Sequence, residues 1–298
     1  MNSLLKTWWI GARPRTLPAA IVPVLVGASL ALREGSFSLL PFVAALLASI
    51  LIQIGTNLTN DVADYLKGAD KNRAGPVRIT QAGLATPRQV ITMTAITFGL
   101  AAILGVYLIY VAGWPILLVG VLSILAGIGY TAGPFPLAYN GLGDVFTFIF
   151  FGLVATVGAY FIHAKTITLP SVIAALPVAL MVTNIIVINN MRDIPSDTLA
   201  HKRTLAVIIG DRATRLEYAV FAFSACFIAA SLLWMGWQHR SAFPVWLVFL
   251  VSTLVLAQDR VRTVYAAHQP MQFNKALAAT SLSHLIFGIL FATSIAIS

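Results

Sequence analysis

Two short segments hold most of the chemically useful side chains in this 298-residue chain. The first begins Asn57-Leu-Thr-Asn60-Asp61-Val-Ala-Asp64 and runs on through Lys67, Asp70, Lys71 and Arg73. The second begins Asn189-Asn190-Met-Arg192-Asp193-Ile-Pro-Ser-Asp197 and runs on through His201, Lys202 and Arg203. They repeat one another: Asn57 and Asp61 stand four apart, as do Asn189 and Asp193, then a second carboxylate and a basic cluster follow. Residues three and four apart share a helix face, so each segment can aim an amide and two carboxylates at one spot. Each follows the C-terminal end of a long apolar run, where the helix dipole disfavours carboxylates. A compensating cation is therefore expected.

Clustered oxygens without thiolates or paired histidines suit a hard cation. Magnesium in particular is held by one or two carboxylates plus waters and phosphate oxygens. Asn57, Asn60, Asp61, Asp64, Asn189, Asp193 and Asp197 are the candidate metal-site residues. Lys67, Lys71, Arg73, Arg78 and Lys202 can meet the remaining charge of a diphosphate. The alternative is a pair of ordinary solvated loops whose basic residues only fix topology. Two equivalent Asn/Asp clusters among ten acidic residues favour a Mg²⁺–diphosphate site at the rim of a lipid-accessible cavity. An amphiphile with a diphosphate head would put its tail among the helices. Charge neutralisation makes diphosphate a better leaving group, and an allylic tail would then leave a delocalised carbocation for an electron-rich acceptor.

The elements that position these residues are membrane helices. The chain is 59% hydrophobic and 10% charged, with a mean hydropathy of +0.88, too apolar for a water-facing surface or for disorder. Its one cysteine, Cys226, excludes a disulfide framework and a Cys-based zinc site. A crossing needs about 20 mostly apolar residues. Nine candidates satisfy this approximately: Thr16–Leu32, Leu39–Leu58, Val90–Val111, Pro115–Tyr130, Val145–Ile162, Leu169–Asn190, Leu216–Trp234, Pro244–Gln258 and Ala276–Ile297, of which the fourth and eighth are the weakest. Nine crossings put sixteen of the nineteen Lys and Arg on one side. Positive charge concentrates inside, so the N-terminus is expected in the cytoplasm, in one all-α transmembrane domain over residues 1–298. The first span is not read as a signal peptide, because Pro18, Pro23 and the following Arg33-Glu34 argue against one. The net charge of +9 is then a topology signal, and no nucleic-acid motif accompanies it. Gly120, Gly127, Gly129, Gly152 and Gly158 fit close helix packing better than a tunnel lining. His284, alone in the ninth span, is expected to make a local hydrogen bond.

At Asn60-Asp61-x-x-Asp64 and Asp193-x-x-x-Asp197 the sequence resembles the UbiA superfamily of intramembrane prenyltransferases. The resemblance implies a nine-helix fold with pseudo-repeated halves, and a metal-bound isoprenoid diphosphate on the two Asp-rich segments. Further stretches resemble the branch that prenylates 1,4-dihydroxy-2-naphthoate: Ala12-Arg13-Pro14-Arg15-Thr16-Leu17-Pro18, Arg73-x-Gly75-Pro76-x-Arg78, Gly141-Leu142-Gly143-Asp144 and Asn189-Asn190-x-Arg192-Asp193. That branch implies Mg²⁺-dependent transfer of a polyprenyl group to dihydroxynaphthoate with loss of CO₂, in menaquinone biosynthesis, at the cytoplasmic side of the cell (inner) membrane. Asp61, Asp64, Asp193 and Asp197 would carry the metal chemistry. Arg13 would hold the acceptor carboxylate, unless it is only a positive-inside anchor. Asp144 would orient a ring hydroxyl or accept its proton, unless it is a helix N-cap. Tyr130 and Tyr139 could close the acceptor cavity. The rival readings are a related enzyme using 4-hydroxybenzoate, homogentisate or haem, and a transporter with repeated halves.

Overall fold

The computed structural model describes residues 3–68, 75–237 and 243–297. Lys71 and Arg73, expected to meet phosphate, lie outside the described residues. Within these the fold is helical, and the backbone forms no strand beyond a single bridge between Asn140 and Arg203. Six helices are long and apolar enough to cross a bilayer. They are α3 (Leu39–Leu66), α4 (Pro87–Ala112), the composite Gly143–Ala164, α8 (Leu169–Leu199), most of α9 (Leu205–Trp237) and α11 (Pro270–Ile297). The composite comprises α6 (Gly143–Thr147), a π-helical stretch Phe148–Val154 and α7 (Ala155–Ala164).

A seventh crossing arises if α1 (Ser3–Ala12) and α2 (Pro18–Arg33) count as one span bent by 54°. The fourth and eighth of the nine expected crossings correspond to α5 (Pro115–Gly129), which is 15 residues long, and α10 (Phe243–Ala266); neither is among the seven. The chain is a multi-pass membrane protein.

Prolines set several helix starts. Pro18, Pro87 and Pro115 open α2, α4 and α5, where a missing N–H costs nothing. Thr86 with Gln89, and Thr168 with Ser171, form reciprocal caps at the starts of α4 and α8. The bend between α1 and α2 has a backbone cause: Arg13 takes a left-handed φ of 51°, and Pro14–Thr16 forms one 3₁₀ turn.

At the other end, α3 and α8 run on past their apolar stretches. Asp64 and Asp197 therefore lie in the last turns of these helices rather than in loops. Period and charge alone do not separate a polar helix end from a loop, which explains the difference.

The helix α2 is the hub. Val22, Val26 and Leu30 pack with residues of α8, α9, α10 and α11, while Val24 joins Ala44, Leu108 and Ile162 on the other side. Glycines permit some of these approaches. A Cβ at Gly27 would stand 2.4 Å from the Thr156 carbonyl oxygen, and one at Gly152 would stand 2.1 Å from Ala179 Cβ. The expected packing role therefore holds at Gly152, and also at Gly127, where a Cβ would lie 2.4 Å from Thr56 Oγ1. It does not hold at Gly120 or Gly129, which have open space around them. His284 departs from expectation too: it is fully buried, and neither ring nitrogen has a hydrogen-bond partner among the described residues. It follows the buried Thr280, Ser281 and Ser283 on α11 and comes three residues before Phe287 of the apolar core.

Candidate active site

The chemistry of α3 is written along one face. Gln53, Asn57, Asn60 and Asp64 recur at helical spacing and all line a cavity of about 450 Å³. Asn189, Asn190 and Arg192 of α8 line it too, as do Arg13, Arg78 and Lys202. The two repeated segments thus meet at one cavity, from separate helices. Eight residues expected in the site stand in its wall: Asn57, Asn60, Asp64, Asn189, Arg78, Lys202, Arg13 and Tyr130. Asp61, Asp193, Asp197, Asp144, Lys67 and Tyr139 are not wall residues.

The cations expected near the helix ends are there. Arg78 Nη2 donates to Asp64 Oδ2 at 2.7 Å, and its Nη1 donates to the Asn60 carbonyl at 2.5 Å. Tyr139 donates its hydroxyl to the other Asp64 oxygen at 2.8 Å. Arg192 grips its neighbour Asp193 through Nε and Nη2, at 2.7 and 2.6 Å, and also donates to Asn189 and Asn274 at 2.9 Å each. Lys202 Nζ lies 3.7 Å from Asp197. These pairs offset the dipole penalty of carboxylates near helix C-termini.

Asp61 does something different. Its two oxygens accept the backbone N–H groups of Ile79 and Thr80, at 3.0 Å each, and Arg13 Nη2 stands 3.7 Å away. It fixes the segment that delivers Arg78.

Tyr139 links the two halves. Its hydroxyl binds Asp64 of α3, while its carbonyl accepts the N–H of Arg203, which follows α8. Lys67 and Lys202 both stand over its ring, at 4.6 and 5.3 Å from the centroid. Burial, with the Asp64 charge second, raises the Tyr139 phenol above its ordinary range, so it stays a hydrogen-bond donor. Lys67 also donates to the Thr131 carbonyl at 2.6 Å. Partial desolvation pulls its ammonium pKa down, with Asp64 opposing and Lys202 adding.

Asp144 sits in the first turn of α6, where Leu142 occupies the cap position, so the N-cap alternative fails. Its buried carboxylate stands beside the Asn190 side chain. It therefore reaches the cavity through Asn190 rather than directly.

Among the described residues no three of His, Cys, Asp or Glu converge as a ready-made metal cage. The donors that face the cavity are nonetheless all oxygens suited to a hard cation: Asp64 with the amides of Asn57, Asn60 and Asn189. Magnesium binds through few carboxylates and completes its shell with water and phosphate, so the residues fit that ion.

A second cavity of about 290 Å³, almost wholly apolar, adjoins the first. Thr56, Tyr130, Thr147 and Phe151 line both. Gly120, Gly127 and Gly158 line the apolar one. At Gly127 tunnel lining and close packing therefore coexist, whereas Gly120, with open space around it, only lines the cavity.

An oxygen-rich head site joined to an apolar cavity in a helical membrane protein accords with sequence comparison. Residues 20–293 match the UbiA prenyltransferase family. The chain belongs to that family. The UbiA relatives include two curated as 1,4-dihydroxy-2-naphthoate octaprenyltransferase. The Bacillus subtilis protein is 31% identical, with 100% of this chain and 94% of that one covered. The Escherichia coli protein is 33% identical, with 99% and 97% covered. Among solved structures, a UbiA homologue from Archaeoglobus fulgidus bound to GPP and Mg²⁺ shares the fold at a TM-score of 0.69. Its identity is 12%, over 96% of this chain and 99% of that one.

Sequence reasoning missed Thr16, Gln53 and Thr131 as site residues. Thr131 donates to the Asn60 side chain. Gln53 did carry a signal, as a glutamine four residues before Asn57 on the same face of an apolar span.

Proposed function

We propose that this UbiA family member transfers a polyprenyl group from an allylic diphosphate to 1,4-dihydroxy-2-naphthoate, with loss of the acceptor carboxylate as CO₂. The observation that carries the reading is the adjacency of the two cavities, an oxygen- and cation-lined chamber beside an apolar one with four lining residues in common. The curated names of the relatives supply the acceptor, and the demethylmenaquinol formed would feed menaquinone synthesis. Magnesium would be held by Asp64, Asn57, Asn60 and Asn189 with Asp61, Asp193 and Asp197 in support. When bound, it would neutralise charge on the departing diphosphate.

The chain's own groups do the rest. Arg78 and Lys202 line the head chamber and are the bonding partners available to phosphate oxygens, with Lys67, Lys71 and Arg73 nearby in sequence. The prenyl tail lies in the apolar chamber, and Tyr130 and Phe151 at the junction shield the allylic carbon from water. Arg13 pairs with the acceptor carboxylate. Asp144 holds Asn190 in position, and Tyr139 holds Asp64. Nine crossings with a cytoplasmic N-terminus would put the head chamber at the cytoplasmic face of the inner membrane.

The test is diphosphate release and product mass for the protein in lipid, with and without chelator, beside Asp64→Asn. Metal-dependent prenylated product, lost in the variant while membrane insertion is retained, supports the reading. Product formation unaffected by chelator contradicts it.

A further inference from the structure

Gln53 carries a buried oxygen with nothing to bind. The residue is 6% exposed, its Oε1 has no hydrogen-bond partner among the described residues, and it lines the head chamber. The orientation of its amide is set by Thr16. The Thr16 hydroxyl donates its one hydrogen to the Arg13 carbonyl at 3.0 Å, so its oxygen can only accept elsewhere. It accepts from Gln53 Nε2 at 3.1 Å and from Asn57 Nδ2 at 2.9 Å. A flipped Gln53 would bring two lone-pair oxygens together, so the nitrogen faces Thr16 and the oxygen is left over.

An amide oxygen accepts hydrogen bonds or coordinates a hard cation, and with no carboxylate within a turn of it along α3 Gln53 is set for the first. Whatever it recognises must bring a donor into a pocket partly walled by Val182, Ile185 and Phe151. A prenyl tail has none, and a diphosphate or carboxylate brings further acceptors. Position narrows the choice again. At about 1.5 Å per residue, Gln53 stands about 16 Å along α3 from Asp64, and about 10 Å from Asn60. Asn57 lies between, one turn from Gln53, so Gln53 is the member of this face furthest along α3 from the Asp64–Arg78 pair.

We propose that Gln53 Oε1 accepts a hydrogen bond from a ring hydroxyl of the aromatic acceptor, making Gln53 a determinant of acceptor specificity. This rests on the prenyltransferase reading above and adds the residue that reads the hydroxyl. A hydroxyl donating to a neutral carbonyl oxygen keeps its density in the ring, which favours attack by the ring carbon on the allylic centre. An acceptor without that hydroxyl would leave the oxygen unpaired in a buried site, and such sites discriminate strongly against the missing group.

The test compares Gln53→Met, of similar size but lacking the acceptor oxygen, with the unsubstituted protein. Three substrates are used: 1,4-dihydroxy-2-naphthoate, 1-hydroxy-2-naphthoate and 4-hydroxy-2-naphthoate. A lost hydrogen bond to a neutral partner predicts a fall of roughly tenfold in kcat/KM for the dihydroxy acceptor. The KM for the prenyl diphosphate should not change. With one of the two monohydroxy acceptors, the two proteins should be equal within twofold.

An equal fall with all three acceptors, or a raised KM for the diphosphate, overturns the proposal. If Gln53→Met does not fold, the unsubstituted protein decides alone: loss of the hydroxyl that Gln53 reads should lower kcat/KM about tenfold or more with one of the monohydroxy acceptors, and equal use of all three acceptors overturns the proposal. No product from the unsubstituted protein would remove the function and the Gln53 role together. Normal turnover with Gln53→Met indistinguishable from it would remove the Gln53 role alone.

Discussion

Arg78 is bonded to Asp64 at 2.7 Å, so the carboxylate that faces the chamber is matched by a cation of the chain itself. Both side chains are buried. Cutting one partner of a buried pair strands the other, which costs about 3–5 kcal/mol. Arg78→Ala should therefore lower the melting temperature in detergent and raise the KM for diphosphate. Arg78→Lys should recover little, because one ammonium cannot reach both Asp64 and the Asn60 carbonyl in Arg78's fork geometry.

Tyr139 joins the halves by its hydroxyl on one side and its carbonyl on the other. Tyr139→Phe removes only the hydroxyl bond, and should cost about 1–3 kcal/mol, read as a lower kcat/KM for diphosphate with the fold retained. Tyr139→Ala also removes the ring over which Lys67 and Lys202 stand, and steady-state kinetics should show the larger loss.

Thr16 accepts two amides at once. Thr16→Val leaves both donors without this acceptor, at a cost of about 1–3 kcal/mol for each buried group left unsatisfied. Thr16→Ser should behave as the unsubstituted protein. Thermal unfolding of the pair separates loss of the hydroxyl from loss of the methyl.

The two classes of glycine should separate by the same measurement. Gly152→Ala drives a methyl into Ala179 and should destabilise by about 1–3 kcal/mol through overpacking. Gly129→Ala meets nothing within 4 Å and should leave the melting temperature nearly unchanged.

Much of this architecture was legible in the residues. Asn57, Asn60, Asp64 and Asn189 are brought to one cavity as their spacing implied, because helical period is a local property. The bonds that re-aim them were not legible. Asp61 and Asp64 have the same side chain and stand three residues apart, yet one holds backbone N–H groups of the 79–80 segment and the other faces the chamber. That difference depends on where the chain returns after residue 74. Gln53 escaped notice for a related reason: one glutamine in an apolar helix has no partner in sequence, and only the bend at Arg13 brings Thr16 against it. The shortness of α5 blurred the crossing count, since apolar length is all that sequence offers there.

The most direct measurement is turnover by purified protein in lipid with Mg²⁺ and a polyprenyl diphosphate. The acceptor would be 1,4-dihydroxy-2-naphthoate in one reaction and 4-hydroxybenzoate in the other, with products read by mass. The expected result is a metal-dependent prenylated naphthoquinol lacking the carboxylate, and no product from hydroxybenzoate. Product from hydroxybenzoate alone would contradict the acceptor assignment, and product from neither would contradict the reaction itself.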